Sequence, residues 1–456
     1  MNSTTLQQAL HGLGGAQVLL GLSGGLDSTA LLHALATNPS ARPSVLRAIH
    51  IHHGLHADAD SWERHCVQLC ERLGVALVVE RVQVARDSGK GLEASAREAR
   101  YHAFQRHLRD GEFLVLAHHQ DDQAETVLLR LLRASGSDGL AAMRPSRSFG
   151  RGSLLRPLLE VSRADLLRYA QENALEWMED SSNLDEKMDR NFLRHRVLPT
   201  LRERWPHADA ALARSATLLA EDAQLLGDEA RRRLHQARGP EPTTLQAPAL
   251  RELERPWRAR VLRQWLAELG LPPLPGNALA TIESDLLGAQ SDSSAEYCWA
   301  GVVLRRWRDW LHVEAQRGVL PSDWSYRWDG HGSLLLPTGD LLYFAKAVPG
   351  PDASLPEGVA IEESPVDQSF DHFVVCARHG GERLSLPGRQ HSHALKQCLQ
   401  EAGVPPWQRE RLPLLVAADG EVLAAGDVII SARLDRFCRD ACVQLHWRQA
   451  PLSIDI

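Results

Sequence analysis

The chain of 456 residues is too long for a single hydrophobic core, so two or three domains are expected. With 44% apolar and 24% charged residues it has a globular composition, and it lacks the run of about 18 apolar residues that predicts a membrane span. The amino-terminal sequence has no basic and apolar regions of a signal peptide, so we expect a cytoplasmic protein. The net charge of −7 is not typical of a nucleic-acid-binding protein, although such binding depends on local patches.

Cysteine usage predicts neither a disulfide framework nor a metal site. The seven cysteines include two pairs with i, i+4 spacing, Cys66/Cys70 and Cys438/Cys442, and no CxxC pair occurs. This spacing places both thiols of a pair on one face of a helix, so small buried side chains are the simplest interpretation.

Residues 1–207 are predicted to form an α/β domain, because short apolar segments alternate with amphipathic ones. The predicted elements are strands at 18–21, 45–51, 77–84 and 113–117, and helices at 28–36, 59–73 and 91–108. This order is typical of a parallel sheet with helices on both faces. Ligands of such sheets bind beyond the carboxyl ends of the strands, which is where the motifs described below fall.

Three regions follow this domain. Residues 208–315 are predicted to form a mainly helical middle domain, residues 316–370 a Pro/Gly-rich linker with some strand content, and residues 371–456 a small α/β domain. The predicted elements are helices at 251–269, 277–287 and 393–402 and strands at 300–305, 414–417 and 422–425. Arginine alternates with tryptophan around Trp257, Trp265 and Trp307; this combination suits RNA, although tryptophans at such spacing are more often core residues.

A phosphate site is predicted where the first strand meets the next helix, at Ser23-Gly24-Gly25-Leu26-Asp27-Ser28. The adjacent glycines allow backbone N–H groups to converge on an anion, and the helix adds its dipole. Asp27 beside phosphates makes sense if Mg²⁺ bridges them. The loop is not a Walker A motif, and the alternative is a tight turn with a serine N-cap.

Three histidines, His50, His52 and His53, end the second predicted strand. Zinc is not favoured, because no fourth ligand with suitable spacing follows. Contacts to the adenine or ribose of a nucleotide are favoured instead, with His53 as a candidate ATP-binding residue, because the segment lies at a strand's carboxyl end.

Three more groups of charged residues stand out. Arg97 and Arg100 share a helical face with Tyr101, which suits phosphates or a base but equally suits a surface ion-pair network. Asp121, Asp122 and Glu125 follow the fourth strand; an N-cap explains one carboxylate, whereas three together favour a bound cation. The third group, which suits an RNA backbone or surface ion pairs, consists of Arg190, Asn191 and Arg194, with Arg202 and Arg204 beyond them.

The hexapeptide at 23–28 resembles the SGGxDS signature of the PP-loop pyrophosphatase superfamily, whose members cleave ATP between its α and β phosphates. Together with HHGL, GLEASAREARY, AHHQDDQAET, ASGSDGLAAM and EDSSN…RNFLR, in that order over residues 17–205, it is similar to the catalytic domain of tRNA(Ile)-lysidine synthetases. The segment VPPWQRERLPLL at 404–415 resembles the carboxyl-terminal domain of the longer members. One departure is Ala134, where the family usually has glycine in an Arg-Gly-Ser-Gly loop.

This resemblance implies a ligase that joins the side-chain amine of free L-lysine to C2 of the wobble cytidine of tRNA(Ile) with a CAU anticodon, using ATP and Mg²⁺. Asp27 would then help to place the metal, and Arg97 would face the triphosphate or the cytosine. Asp121, Asp122 and Glu125 would hold lysine or Mg²⁺, with Asp122 and Glu125 counted as catalytic. No membrane or DNA partner is implied.

The tRNA would be contacted by residues in two domains: Arg100, Arg190, Asn191 and Arg194 in the first, and Arg378, Arg383, Arg389, Lys396, Arg409 and Arg411 in the last. Two other interpretations stay open. One is a PP-loop enzyme of the 2-thiocytidine synthetase type, which the absence of a CxxC pair disfavours. The other is a tRNA-binding relative without catalysis, which the intact Ser23, Asp27 and Ser28 disfavour.

Overall fold

The computed structural model describes residues 3–55, 58–84, 91–179, 185–288, 295–346, 372–389 and 391–450. Residues 180–183 of the polar loop before Asp189, and residues 347–370 of the predicted linker, lie outside these ranges. The chain separates into two compact units, Met1–Asp228 and Glu229–Ile456. Within the described ranges, no helix is both long enough and apolar enough to cross a membrane.

The first unit contains the predicted parallel sheet. Its strands are β1 (Gln17–Gly21), β2 (Val45–His52), β3 (Ala76–Arg81), β4 (Phe113–Val115), β5 (Ser146–Phe149) and β6 (Gly152–Leu155). Its helices are α1 (Ser3–Leu10), α2 (Leu26–Thr37), α3 (Ala59–Leu73), α4 (Leu92–His107), α5 (Gln120–Leu132), α6 (Ser137–Leu140), α7 (Arg163–Glu172), α8 (Asp189–Phe192) and α9 (Leu198–Arg204), with a 3₁₀ turn at His11–Leu13 and a π-helical turn at Leu193–Val197. Helix α10 (Ala208–Ala237) begins in this unit and ends in the second.

The strand order is β3-β2-β1-β4-β6-β5, and each neighbouring pair is parallel except the edge hairpin β5–β6. Successive side chains of a strand point to opposite faces, so Leu19 and Leu20 of β1 enter different cores. Leu20 packs with α2, α3 and α7, whereas Leu19 packs with Phe104 of α4 and with Phe149. This two-sided burial explains why the central strands are apolar throughout.

The middle region is less helical than predicted. Its elements are β7 (Thr244–Gln246), α11 (Ala247–Glu252), α12 (Arg255–Glu268), α13 (Ala278–Thr281), a π-helical turn at Ile282–Leu287, β8 (Glu296–Trp299), β9 (Val302–Trp307) and β10 (Trp310–Ala315). The strands form an antiparallel sheet of order β7-β10-β9-β8. Positive φ angles at Ala300, Gly301 and Arg308 make the hairpin turns, a conformation that Ala and Arg do not signal in a sequence. Trp265 is a fully buried core residue, as the spacing favoured.

Residues 325–346 of the predicted linker contain strands, as predicted, but these strands belong to the carboxyl-terminal sheets rather than to a separate connection. The elements of this region and the carboxyl-terminal domain are β11 (Ser325–Trp328), β12 (Ser333–Leu335), β13 (Leu341–Lys346), β14 (Phe373–Cys376), β15 (Arg383–Ser385), β16 (Ser392–Ala394), α14 (Leu395–Glu401), α15 (Pro406–Arg411), β17 (Leu414–Ala417), β18 (Val422–Ala425), β19 (Ile429–Ile430), α16 (Ala432–Asp440) and β20 (Val443–Arg448). Strand β11 pairs with β14, and β13 pairs with β20, so both belong to the carboxyl-terminal sheets. Long-range pairing of this kind leaves only a weak trace in short, Gly- and Pro-flanked segments.

The cysteine interpretation holds for most of the positions it named. Cys66, Cys70 and Cys438 are buried free thiols. It is wrong for Cys442, which is exposed because α16 ends at Asp440, before the helical face could include that thiol.

Candidate active site

The loop between β1 and α2 is built as the predicted phosphate site requires. Gly24 has a φ of +84°, and a Cβ on it would lie 3.1 Å from the Sγ of Cys66, so only glycine fits without strain. The hydroxyl oxygens of Ser23 and Ser28 are 3.0 Å apart, and the Ser28 hydroxyl donates to the Gly25 carbonyl at 3.1 Å. Helix α2 begins at Leu26, and its N-cap Gly25 has no side chain to occupy the first N–H groups, an arrangement that suits a phosphate.

Asp27 lies in the first turn of α2 and faces the carboxyl edge of the sheet. Its Oδ2 is 3.5 Å from Nε2 of His119, whereas its Oδ1 is buried without a hydrogen-bond donor among the described residues. A buried carboxylate oxygen with no donor, beside a phosphate loop, fits a ligand of Mg²⁺. The residues present are therefore suited to hold the metal that the sequence predicted.

His119 connects the phosphate loop to the carboxylates of α5. It is the N-cap residue of α5, and its Nε2 lies 3.5 Å from both Asp27 Oδ2 and Asp122 Oδ2, while its Nδ1 lies 3.7 Å from Asp121 Oδ1. Burial opposes the charged form of this imidazole, but the hydrogen bond to Asp27 and the charges of Asp122 and Asp121 outweigh burial and raise the pKa of His119.

Asp122 and Glu125 are paired with two of the arginines that the sequence assigned to tRNA. Arg190 donates from Nη2 to Asp122 Oδ1 at 2.9 Å and from Nε to Glu125 Oε2 at 2.6 Å. Arg194, one turn later, donates from Nε to Glu125 Oε1 at 2.6 Å and from Nη2 to Asp122 Oδ1 at 3.2 Å. The Glu125 side chain is fully buried, so these charge-assisted bonds compensate its desolvation. The two carboxylates are thus held in fixed positions by the two arginines.

Asp121 faces a third arginine, Arg202 of α9. The Nη2 atom of Arg202 donates to Asp121 Oδ2 at 2.9 Å, and its Nε donates to Asp209 at 2.6 Å. Within the described residues the whole cluster contains five carboxylates and three arginines, namely Asp27, Asp121, Asp122, Glu125, Asp209, Arg190, Arg194 and Arg202. The carboxylates exceed the arginines, so the cluster retains negative charge that a cation could neutralise.

The three histidines of β2 do not share a centre. His50 Nδ1 lies 2.9 Å from the Leu22 carbonyl, and His52 Nε2 lies 3.1 Å from Asp60. His52, Asp60 and Glu63 are close enough to form a metal site, but the guanidinium of Arg81 already bonds both carboxylates.

His53 stands apart from the other two histidines. Burial first, and then the charge of Arg100, lower the pKa of His53 to about 4, so the ring is neutral near pH 7. Its buried Nδ1 has no hydrogen-bond partner in the described structure, which leaves it suited to a ligand. ATP binding by His53 stays a prediction.

Arg97 is a neighbour of Tyr101, as its spacing suggested. Its Nη2 donates to the Tyr101 hydroxyl at 3.3 Å, and its guanidinium carbon lies 4.9 Å from the ring centroid. In unit 1, the Asn191 amide donates to the Asp185 carbonyl at 3.0 Å, which orders the approach to α8. Roles of Arg97, Arg100 and Asn191 toward ATP or tRNA stay predictions.

The predicted basic surface of the carboxyl-terminal domain divides into exposed and buried residues. Lys396 is exposed on α14, and Arg389 is half exposed, 3.8 Å from Glu401. The Nε of Arg409 donates to the Val404 carbonyl at 2.6 Å. Arg411, in contrast, is buried and pairs with Glu314 of β10 at 2.8 Å. The expectation that Arg411 contacts phosphates is therefore wrong, because its charge is used within the second unit.

Sequence reasoning missed His119 and the role of Arg202. The sequence does contain a signal for His119, because the residue stands between an apolar strand and two aspartates. The prediction assigned a role to the aspartates and none to His119. Asp121 and Arg202 are 81 residues apart in the chain, so no local spacing pattern could predict their pairing.

Comparison with known proteins agrees with this geometry. A family model described as the PP-loop domain matches residues 2–201. Two further models, the TilS substrate binding domain and the TilS substrate C-terminal domain, match residues 245–312 and 373–447.

Curated relatives cover almost the whole chain. The tRNA(Ile)-lysidine synthase of Xanthomonas campestris is 49% identical over 441 residues, which are 95% of this chain and 96% of that protein. The protein of that name from Xylella fastidiosa is 48% identical, with 95% of each chain covered. The one from Methylococcus capsulatus is 39% identical and covers 90% of this chain and 91% of its own. Similarity at this level and over this length means that the chain belongs to the tRNA(Ile)-lysidine synthase family.

Proposed function

We propose that this chain is an ATP-dependent ligase that converts the wobble cytidine of tRNA(Ile) with a CAU anticodon into lysidine. The observation that carries the proposal is the position of His119, whose Nε2 lies 3.5 Å from Asp27 of the phosphate loop and 3.5 Å from Asp122 of the carboxylate pair. A phosphate site and a site for an amine therefore border one another, as a reaction of a nucleotide adenylate with lysine requires.

In the first step, the C2 oxygen of cytidine attacks the α-phosphorus of ATP and pyrophosphate leaves. The carbonyl oxygen of the ring is a poor leaving group, and the adenylate makes it a good one. The loop from Ser23 to Ser28 would hold the phosphates, and Arg97 would stabilise negative charge on them or on the cytosine. Mg²⁺, held by Asp27, would supply charge neutralisation when bound.

In the second step, the neutral side-chain amine of lysine attacks C2, the C2–O bond breaks and AMP leaves. Burial alone would raise the pKa of Asp122, but His119 and Arg190 outweigh burial and hold that pKa well below its usual range. A carboxylate of this kind is a weak base, so we assign Asp122 to binding and orienting the lysine ammonium, whose proton then passes to solvent. We assign Glu125 to the same binding role because Arg190 and Arg194 hold it beside Asp122. Asp122 Oδ1 and Glu125 Oε2 each accept from both Arg190 and Arg194. Among the described contacts, Asp122 Oδ2 and Glu125 Oε1 each accept one hydrogen bond, so their second lone pairs can accept from the amine.

Thiolation is disfavoured by the state of the two cysteines in the PP-loop unit. Burial raises the pKa of Cys66 to about 12 and that of Cys70 to about 11, so neither thiol is ionised near pH 7. A tRNA-binding protein without catalysis would have no need of the Asp27 oxygen that lacks a donor. We place the reaction in the cytoplasm, where ATP, lysine and tRNA are all present.

The test is an assay with a tRNA(Ile) transcript carrying CAU, together with ATP, Mg²⁺ and lysine. We expect AMP and pyrophosphate to form, and position 34 to gain the mass of lysine less one water. A methionine tRNA with the same anticodon and a reaction without lysine are the controls. Turnover of ATP with position 34 unchanged, or a gain of sulfur there, would contradict the proposal.

A further inference from the structure

A pocket of unit 1 lies between helix α4 and strand β5. It has a volume of about 340 Å³ and is lined by Ala94, Arg97, Glu98, Tyr101 and Arg147. Arg97 has an expected role through its place in the family motif, but Tyr101 and Arg147 have none. The site is shallow and open to solvent, which suits a single nucleotide of an RNA lying against it.

The Tyr101 ring is fixed by its neighbours. It packs edge-on against Phe104, with ring centroids 6.0 Å apart, and against Phe149, at 5.7 Å. Its hydroxyl accepts a hydrogen bond from Arg97. An aromatic ring held in this way loses little entropy when a base stacks beside it.

The pocket is lined by two arginines and one carboxylate, Glu98, so the arginines give its lining a net positive charge. The guanidinium carbon of Arg97 lies 4.9 Å and that of Arg147 5.7 Å from the Tyr101 centroid. Across the described ranges, neither side chain forms an ion pair, whereas Arg190, Arg194 and Arg202 all do. Two guanidiniums without an ion-pair partner beside an aromatic ring offer phosphate contacts and stacking planes together, which is the chemistry that recognises a single-stranded nucleotide.

The pocket borders the active site through one buried side chain. The Nε of Arg156 lies 3.3 Å from Nδ1 of His118, the residue before His119, and Arg156 also interacts with the Tyr101 hydroxyl. The ATP phosphates have their own loop at α2, which packs on the opposite face of the sheet from α4. A nucleotide in this pocket would therefore not occupy the phosphate loop itself, and the contact of Arg156 with His118 makes it a neighbour of the reacting cytidine.

We propose that Tyr101 and Arg147 bind a nucleotide of the anticodon loop next to the wobble cytidine, and so fix that cytidine at the phosphate loop. This inference rests on the proposed function and deepens it, since it names a tRNA-positioning site in the same unit. A base would stack on the ring or on the Arg147 plane, and its phosphate would face the guanidiniums.

The test uses the full chain with Arg147→Gln, and Arg151→Gln as the matched control on the same hairpin. Arg151 is 75% exposed and lies outside the pocket. Titration with a CAU anticodon stem-loop RNA should give about a tenfold higher Kd for Arg147→Gln, the effect of one lost stacking and phosphate contact. The slope of log Kd against log salt should fall by about one. The Kd for ATP without RNA should stay within about twofold of wild type.

Tyr101→Phe and Tyr101→Leu test the ring itself. The phenylalanine variant should bind the RNA nearly as wild type does, whereas the leucine variant should match Arg147→Gln; thermal unfolding checks that each variant is folded. Equal RNA affinities for Arg147→Gln and Arg151→Gln would overturn the inference. Weaker ATP binding with unchanged RNA binding would overturn it too, by assigning the pocket to ATP. Lysidine formation by wild type alongside either result leaves the proposed function intact, whereas its absence refutes that function separately.

Discussion

Replacing Ala134 with glycine restores the residue that the family usually has, and the structure predicts what this does. Ala134 has a φ of +52°, in the left-handed region that an L side chain rarely adopts. The alanine therefore keeps a backbone conformation suited to glycine and bears the steric cost. Ala134→Gly should relieve that cost.

The size of the effect follows from two opposing contributions. The left-handed conformation costs alanine about 1–2 kcal/mol, which glycine does not incur. Glycine's greater freedom in the unfolded chain removes about 0.4–1 kcal/mol of this gain. We therefore expect Ala134→Gly to raise the free energy of unfolding by up to about 1.5 kcal/mol.

Two other alanines in the same unit serve as controls in urea unfolding. Ala174, just past the end of α7, has a φ of +50° and should gain the same stability when replaced with glycine. Ala211 is an exposed residue inside α10, and its replacement with glycine should cost about 1 kcal/mol. If Ala134→Gly destabilises the protein as Ala211→Gly does, strain at Ala134 is refuted.

Steady-state kinetics test whether the turn at Ala134 affects catalysis as well as stability. Arg130 Nη1 donates to the carbonyls of Gly139, at 2.6 Å, and Ala142, at 3.2 Å, so the segment after Ala134 is fastened to α5, which carries Asp122 and Glu125. If the strained turn limits movement of the segment, Ala134→Gly should change kcat or the KM for lysine. Ala174→Gly, which lies elsewhere, should change neither. Identical kinetics in both variants would show that the loop does not limit turnover.

Three further predictions concern the carboxylate cluster. Asp27→Asn should keep wild-type circular dichroism but lower pyrophosphate release by at least about 100-fold, because the ligand that places Mg²⁺ at the phosphates is lost; near-normal release at saturating Mg²⁺ would contradict this. Glu125→Gln should raise the KM for lysine more than that for ATP, so that adenylated RNA accumulates; the reverse ratio would assign Glu125 to the metal. Because the pKa of His119 is raised in the folded chain, protonated His119 stabilises that chain, and this stabilisation is fully present below about pH 6.5. The stabilisation is lost as the pH rises through the folded-state pKa. The loss in unfolding free energy on His119→Gln should therefore be larger at pH 6 than at pH 9, and a difference independent of pH would refute it.

Much of the first unit was predictable because its signals are local. Strand β1, the Gly24-Gly25 turn and the start of α2 all lie between Gln17 and Leu26, and each depends on residues close by in the sequence. The cluster that joins Asp122 and Glu125 to Arg190 and Arg194 was not predictable. The paired residues are 65 to 72 positions apart in the chain. The sequence shows the carboxylates and the arginines, but no local pattern indicates that they pair.

The basic residues of the middle region show how a composition signal misleads. In β9, side chains alternate between faces, so neighbouring arginines have different surroundings. Arg306 is buried and donates to the carbonyls of Leu286 and Leu287, which end the π-helical turn. Arg305 instead pairs with Glu296 and Glu314. Neither guanidinium is left as an open phosphate site, although Arg-Arg-Trp-Arg reads as an RNA-binding segment.

Strand pairs and a buried ion pair within the second unit decide how the carboxyl-terminal domain should be tested for tRNA binding. A cut in the linker predicted from the sequence would remove β14 and β20 and leave β11 and β13 with unpaired edges. It would also take away Arg411, the buried partner of Glu314. Loss of tRNA affinity in such a truncation would therefore report damage to the second unit as much as loss of a binding surface. Substitution of the exposed Lys396 or the half-exposed Arg389 removes charge without removing a strand, so single variants, rather than a truncation, isolate phosphate contacts from folding.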